Sequence, residues 1–558
     1  MKKVMIFSLL AMLIAGCNSG GKKMENDLKA FIDTLKLRVK PVESGAALAS
    51  FTASVTGREE EYNKTSELNI QLSKIYADKE AFAQLKAFKG SGKITDSMLI
   101  RQLNVLYNTF LANQADEQKM EALIRAQTRL EQRYSKFRAV VNGKKLTDNE
   151  IESVLKNSAN SKELEKYWLA SKQIGDSVAP DVIRLVKMRN EIARELDFTN
   201  YHEMSLSLSD QDPVQIEKIF DELDSLTRDT FTALKSDVDA VLAKKYKVKQ
   251  GGLMPWHYQN RFFQEAPAIY NVNLDSYFAD KDVVELTRDY FAGIGLDVNG
   301  ILAKSDLYEK EGKYQHAFCT HIDRSGDVRV VCNVKNNNQW MNTMLHELGH
   351  GVYDKNIDIT LPYFLRTPAH TFTTEAIAMI FGRLSSNPYW LRDNAGISAD
   401  EAEKIREDVK NNLRLEQLVF SRWSQVMFRF EKGMYANPDQ DLNKLWWDLA
   451  EKYQLLNKPA GRNNADWAAK IHIASYPCYY HNYQLGELLA SQLQAYINTH
   501  VLKAGATDIV GFSRNPEIGS YLLKKVFRSG TMYQWNDMIR RATGEELTAK
   551  YYAAQFIE

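Results

Sequence analysis

Through most of the chain, apolar residues recur at three- and four-residue spacing with charged residues between them, the mark of amphipathic helices. From Met24 the pattern predicts a helix through DLKAFIDTLKLRV that stops before Pro41. A second runs through EYNKTSELNIQLSKIYADKEAFAQLKAF to Gly90-Ser91-Gly92, and a longer third from Met98 through FRAVV to Asn142-Gly143. Helical periodicity resumes at Asp148 and continues to KKY at Tyr246, then again beyond Leu384 to the C-terminal end. Two stretches break it. Lys249–Pro267, dense in glycine, proline and aromatics, reads as a structured loop. Gln315–Asp323 and Asp327–Val334 read as the arms of a β-hairpin, since VRVVCNV is rich in strand formers. A turn centred on Ser325-Gly326 would set Cys319 opposite Cys332. The free edge of such a hairpin would suit an extended peptide.

The chemistry sits just after that hairpin. His346-Glu347-Leu348-Gly349-His350 is an H-E-x-x-H pattern inside a helical run. Residues i and i+4 share a helix face, so His346 and His350 can grip one metal ion, with Glu347 beside them as a proton acceptor. A two-histidine site needs a third protein ligand and one open position. Glu375 is the candidate, because TTEAIAMIFGRL reads as a second helix returning after a loop that carries Pro362 and Pro368. The expected metal is one zinc ion per chain.

Charge and leader narrow the setting. Lys plus Arg number 72 and Asp plus Glu 71, so no polyanionic partner such as nucleic acid is indicated. Met1–Gly16 reads as an export signal, with Lys2 and Lys3 before an apolar run too short to span a bilayer. It ends in Leu13-Ile14-Ala15-Gly16-Cys17, which resembles the bacterial lipoprotein processing box. That resemblance implies cleavage before Cys17, lipidation of its thiol, and a polar tether over residues 17–23. The expected product is exported, held to the cell envelope by lipid alone, and monomeric. A helical segment over 24–145 would precede a catalytic part over 146–558. Export would favour a Cys319–Cys332 disulfide and leave Cys478 as a free, buried thiol.

A second cluster, KIHIASYPCYYHNYQ at Lys470–Gln484, gathers His472, Tyr479, Tyr480, His481 and Tyr483, all able to donate hydrogen bonds. Together with Gln315-His316-Ala317, the zinc stretch with LPYFLR and Glu375-Ala376-Ile377, and LWWDLAEKYQ, it makes the chain resemble the angiotensin-converting-enzyme family of zinc peptidyl-dipeptidases.

The resemblance implies a mainly α, two-lobed helical body of the gluzincin type, with a deep channel and the small hairpin beside the site. It makes His346, His350 and Glu375 the zinc ligands and Glu347 the general base. It makes His472 and Tyr483 the donors to the tetrahedral intermediate. Lys470, Tyr480 and Gln259 would hold the substrate's terminal carboxylate, while His316 and Ala317 hold its backbone. One extra residue after His472 lets Tyr479 compete with Tyr480. Two departures stand out. Met379 replaces an acidic residue one turn after Glu375, which changes what surrounds the ligands. Asn482 replaces an arginine that holds chloride in the animal enzymes, which puts chloride activation in doubt. The expected substrates are short peptides, cut to release C-terminal dipeptides. An oligoendopeptidase on the same zinc helix, or a catalytically silent peptide-binding lipoprotein, are the alternatives.

Overall fold

A computed structural model describes residues 20–270 and 273–557. The leader Met1–Gly16 and the lipidation cysteine Cys17 lie outside the described residues. The protein is mainly α-helical, with two small antiparallel two-stranded sheets among the described residues. The chain divides into two compact units, each assembled from three separate stretches. Unit 1 takes Met1–Gln114, Asp282–Gly382 and Ser513–Glu546; unit 2 takes Ala115–Lys281, Arg383–Phe512 and Leu547–Glu558.

Unit 1 opens with a helix assigned over Lys2–Thr56, so helix continues through Pro41 instead of stopping before it. Proline there deprives the Leu37 carbonyl of its partner. Leu37 is exposed, so water can take that carbonyl. Leu28, Leu35 and Val39 pack from this helix onto Phe82, Leu85, Leu106 and Phe110 of the helices Lys79–Gly90 and Ser97–Leu111. Tyr363 and Phe364, from the loop after the H-E-x-x-H helix, complete that core. Glu43 of the first helix accepts from the Tyr363 hydroxyl at 2.6 Å and pairs with Arg324 at the hairpin tip.

The helix expected from Met98 to Asn142 is two helices, Ser97–Leu111 and Glu117–Lys136. Asp116 starts the second by accepting from the Lys119 N–H. Beyond it comes a hairpin that periodicity missed, Ala139–Val141 paired with Lys144–Leu146. Asn142 and Gly143 turn it, with φ of 53° and 78°. Two consecutive positive φ values are what a two-residue hairpin turn demands, and Asn-Gly is the pair that supplies them.

The hairpin beside the metal helix forms where expected but in another register. Phe318–His321 pairs with Val328–Val331, and Cys319 lies opposite Val330, not Cys332. The turn is four residues long. Asp323 accepts from the Ser325 and Asp327 N–H groups, and Ile322 closes the loop by donating to the Asp327 carbonyl. That loop moves the pairing by two residues, so Cys319 and Cys332 share a face diagonally. The expected disulfide is absent: Cys319, Cys332 and Cys478 are free thiols, Cys332 and Cys478 buried.

Unit 2 is built on long helices, Ser161–Glu195, Pro213–Tyr246 and Ala399–Ala436. Trp168, Trp390, Trp423 and Trp467 lie fully buried within the unit. Lys249–Pro267 is the predicted loop, stiffened by short 3₁₀ turns at Gln250–Gly252 and Pro255–Tyr258. Gln454 pins it by donating to the carbonyls of Phe262 and Phe263. Among the described residues no helix is long and apolar enough to cross a membrane.

Candidate active site

The metal helix, Asn338–Lys355, starts where the Asn337 side chain accepts from the Trp340 N–H. Met341, Met344, Leu345, Leu348 and Val352 bury one side of it, which orients His346 and His350 as a pair on the other. The return helix, Thr371–Gly382, runs against it within unit 1. Gly349 is where they touch: a Cβ there would stand 2.8 Å from the Ala378 Cα. Asn342 closes the contact by donating to the Gly382 carbonyl at 2.8 Å. This close approach brings Glu375 to the two histidines.

His346 Nε2 and His350 Nε2 lie 3.3 Å apart, and Glu375 Oε2 is 3.7 and 3.8 Å from them. A tetrahedral ion with bonds of about 2.1 Å separates its ligand atoms by about 3.4 Å, so the triangle fits a zinc-sized cation. Burial holds both imidazoles unprotonated, lowering His346 to about 4 and, with His346 adjacent, His350 to about 3. Two lone pairs and a carboxylate oxygen thus converge on one point. Among the described residues this is the sole cluster of its kind.

Glu347 is buried behind the ligands. Burial, then the nearby Glu375 charge, push its carboxyl up to about 8, while the Cys319 backbone N–H donates to it. The neighbouring hairpin strand therefore orients this carboxyl.

Thr374 is a participant that sequence reading passed over. Its hydroxyl lies 2.8 Å from His350 Nδ1. For Nε2 to face a metal, Nδ1 must carry the proton and donate to Thr374 Oγ1. The sequence directs attention to Met379; the ligand's actual partner is the residue immediately before Glu375. Thr374→Val keeps the shape and removes the acceptor. Zinc affinity should fall about 10–100-fold, read by chelator competition independently of turnover. Unchanged affinity would show that the hydroxyl does not orient His350.

His316 is exposed, its ring 5.3 Å from Tyr314, and Ala317 leads into the first hairpin strand. Both belong to unit 1. Lys470, His472, Tyr480, Tyr483 and Gln259 belong to unit 2.

In unit 2, Lys470 immediately precedes a short helix, Ile471–Ser475, which carries His472. Lys470 is only 7% exposed. It sits 5.3–5.6 Å from the ring centres of Phe262, Trp423 and Tyr480, and donates to Gln264 Oε1 at 2.5 Å. Among the described residues no carboxylate pairs with it. Burial, then Arg261, lower this amine to about 7. Gln264 is therefore the glutamine beside Lys470. Gln259 is held in its own loop at φ 58°, accepting from the Ala268 N–H at 3.0 Å.

His472, Tyr480 and Tyr483 form a row, with ring centres 5.2 and 5.3 Å apart in turn. Tyr480, buried, is the tyrosine beside Lys470, while Tyr479 packs on Tyr483 at 5.4 Å. Burial, then Lys470, lower His472 to about 4. Asn482 is buried in a hydrogen-bonded chain: it accepts from Gln211 Nε2, whose Oε1 is 2.8 Å from His481 Nε2.

The angiotensin-converting-enzyme sequence profile matches residues 22–556. The mouse angiotensin-converting enzyme is 21% identical over 557 residues, covering 92% of this chain and 42% of its own. The rat enzyme is 25% identical over 37% of this chain and 16% of its own. Carboxypeptidase 1 of Bacillus subtilis is 26% identical over 42% of this chain and 50% of its own. The chain thus spans half or less of the length of each of these relatives. With a His-His-Glu cluster on its H-E-x-x-H helix, and a profile match running almost end to end, the chain belongs to the angiotensin-converting-enzyme family of metallopeptidases.

Proposed function

We propose that the protein is a zinc-dependent peptidyl-dipeptidase that removes dipeptides from the free C-termini of short peptides. One observation carries the end-specific part: the buried Lys470 ammonium, boxed by aromatic rings, has the neutral Gln264 amide as its hydrogen-bond acceptor. A buried amine with no carboxylate in direct contact suits a ligand that brings one, and a peptide's terminal carboxylate is that ligand. Tyr480 and Gln264 would add a hydroxyl and an amide to the same carboxylate.

His346, His350 and Glu375 would hold the zinc, which supplies a Lewis acid and lowers the pKa of water from 15.7 to about 7. Glu347 takes the proton of the attacking water and later delivers it to the leaving amine. His472 and Tyr483 donate to the oxyanion as the carbonyl becomes tetrahedral. His316 and the Ala317 backbone align the peptide as an extended strand. The leader and Cys17 support an exported, lipid-anchored setting, in which such an enzyme would trim small peptides at the cell envelope.

Mass spectrometry of products from a mixed pool of free-acid and amidated peptides tests the reading. Dipeptides from the free acids, with the amides largely spared, are expected. Internal cuts regardless of the C-terminus would make the protein an oligoendopeptidase. No cleavage with zinc bound would make it a peptide-binding protein.

A further inference from the structure

Two buried ionisable side chains in unit 2 form no direct ion pair with each other, although the Arg189 charge is felt at Glu431. Arg189, on Ser161–Glu195, is 1% exposed, and Glu431, on Ala399–Ala436, is 2% exposed. Among the described residues no carboxylate lies within ion-pair distance of Arg189, and no cation within that distance of Glu431. Both instead bond the backbone of one short stretch. Arg189 Nη2 donates to the Ala474 carbonyl at 2.7 Å and to Gln127 Oε1 at 3.0 Å, while Nη1 donates to the Tyr435 hydroxyl at 3.2 Å. Gln127 in turn donates to the Ser475 carbonyl at 3.4 Å. Glu431 Oε1 accepts from the Cys478 N–H at 2.8 Å.

The stretch so held is a sharp reversal. The helix Ile471–Ser475 ends in carbonyls that these side chains partner from outside the helix, and Cys478 sits at φ 55°, a left-handed conformation uncommon for a residue with a side chain. The helix His481–Tyr496 begins three residues later. His472 lies before the reversal, and Tyr480 and Tyr483 lie after it. Burying ionisable groups is costly, and here both are used on the backbone of the same short stretch and not in a direct ion pair.

We propose that Arg189 and Glu431 are positioning residues for the peptidase reaction, clamping residues 474–478 so that His472, Tyr480 and Tyr483 stay in register. Arg189, with Gln127, fixes the carbonyl end of the first helix. Glu431 fixes the N–H of the turn residue. Neither reaches the substrate; both act through backbone. The inference rests on the reading of His472 and Tyr483 as oxyanion donors. The Glu431 carboxyl, pushed up to about 8 by burial, is replaceable by a neutral amide that presents the same acceptor.

The test is a double-mutant cycle on the full chain, following kcat, KM, zinc content and the melting transition. Tyr483→Phe should lower kcat about 10²–10³-fold. Glu431→Met, of similar size but without the oxygen, should lower kcat tenfold or more on the order of a lost orienting contact, with zinc retained. The double variant should fall short of the product of the two single losses, because part of the Glu431→Met effect runs through Tyr483 and groups acting as a unit do not add. Glu431→Gln should recover kcat to within about threefold of wild type. If Glu431→Met does not fold, Gln127→Leu, at a half-buried site, takes its place in the same cycle with a smaller expected loss.

A folded Glu431→Met (or Gln127→Leu) variant with wild-type kcat overturns the proposal, as do losses that multiply in the double variant. Equal losses in Glu431→Gln and Glu431→Met overturn the acceptor role. An unimpaired Tyr483→Phe instead sinks the oxyanion assignment, and this inference with it. An impaired Tyr483→Phe beside an unimpaired Glu431→Met sinks the inference alone.

Discussion

Glu347→Gln is expected to bind zinc as the wild type does and to lose about 10²–10⁴-fold in kcat, the contribution of a positioned general acid–base group. The substitution leaves His346, His350 and Glu375 untouched and preserves shape. The glutamine carbonyl can still accept from the Cys319 N–H, so the hairpin keeps its grip on the side chain. What disappears is the ability to take a proton and return it. Elemental analysis of purified wild type and variant, alongside turnover of one free-acid peptide, decides the matter. A variant that turns over normally would remove Glu347 from the mechanism. A wild type with neither zinc nor peptidase activity would overturn the functional proposal.

Lys470→Ala should penalise free-acid peptides by about 2–5 kcal/mol in kcat/KM, as for a buried charge pair that loses one partner. Amidated peptides, expected to be poor substrates of the wild type, should change little. The acid-to-amide ratio of kcat/KM for one peptide isolates this interaction, because effects on zinc or on Glu347 cancel in it.

The same ratio should depend on pH in the wild type. Burial and Arg261 lower the Lys470 pKa from 10.5 to about 7, against the upward pull of Glu265 and Glu152. Below about pH 7 the amine is an ammonium and can pair with a carboxylate; above it the neutral form dominates. The preference for free acids should therefore decline as pH rises through about 7, and be flat in Lys470→Ala. Since kcat/KM reports the free enzyme, the pKa without substrate is the relevant one. A wild type that cuts acid and amide equally well would make it an endopeptidase.

The parts of this arrangement that the sequence exposed are those whose rules are local. His346, Glu347 and His350 follow from helical spacing, and Glu375 from a second helix after a proline-bearing loop. The long helices follow from three-and-four periodicity, although that signal ran through the break at Asp116 and over the Asn142-Gly143 turn. There the turn chemistry, more than the hydrophobic pattern, marks the hairpin. The cysteine pairing failed because register depends on loop length. Asp323, capping two N–H groups, makes a four-residue loop where Ser325-Gly326 alone suggests a shorter one.

Residues that act across long sequence separations left little trace. Thr374 is an unremarked threonine until His350 packs beside it, and Gln264 is one of several polar residues in an aromatic loop until its amide meets Lys470. Arg189 and Glu431 look, in sequence, like solvated positions on amphipathic helices. Their burial is a property of the neighbours that cover them.

The layered bookkeeping of unit 1 also sets an order of events. Tyr353 of the metal helix packs on Phe527 with ring centres 4.9 Å apart, and Phe372 of the return helix meets Trp535 at 5.1 Å. Thr531 donates to the Leu365 carbonyl in the loop between those helices, and Arg101 donates in turn to the Thr531 carbonyl. Every metal ligand has thus left the ribosome long before the segment that buttresses it. A growing chain carries the donor set before Phe527, Thr531 and Trp535, which pack on the two metal-site helices and their loop, have been made.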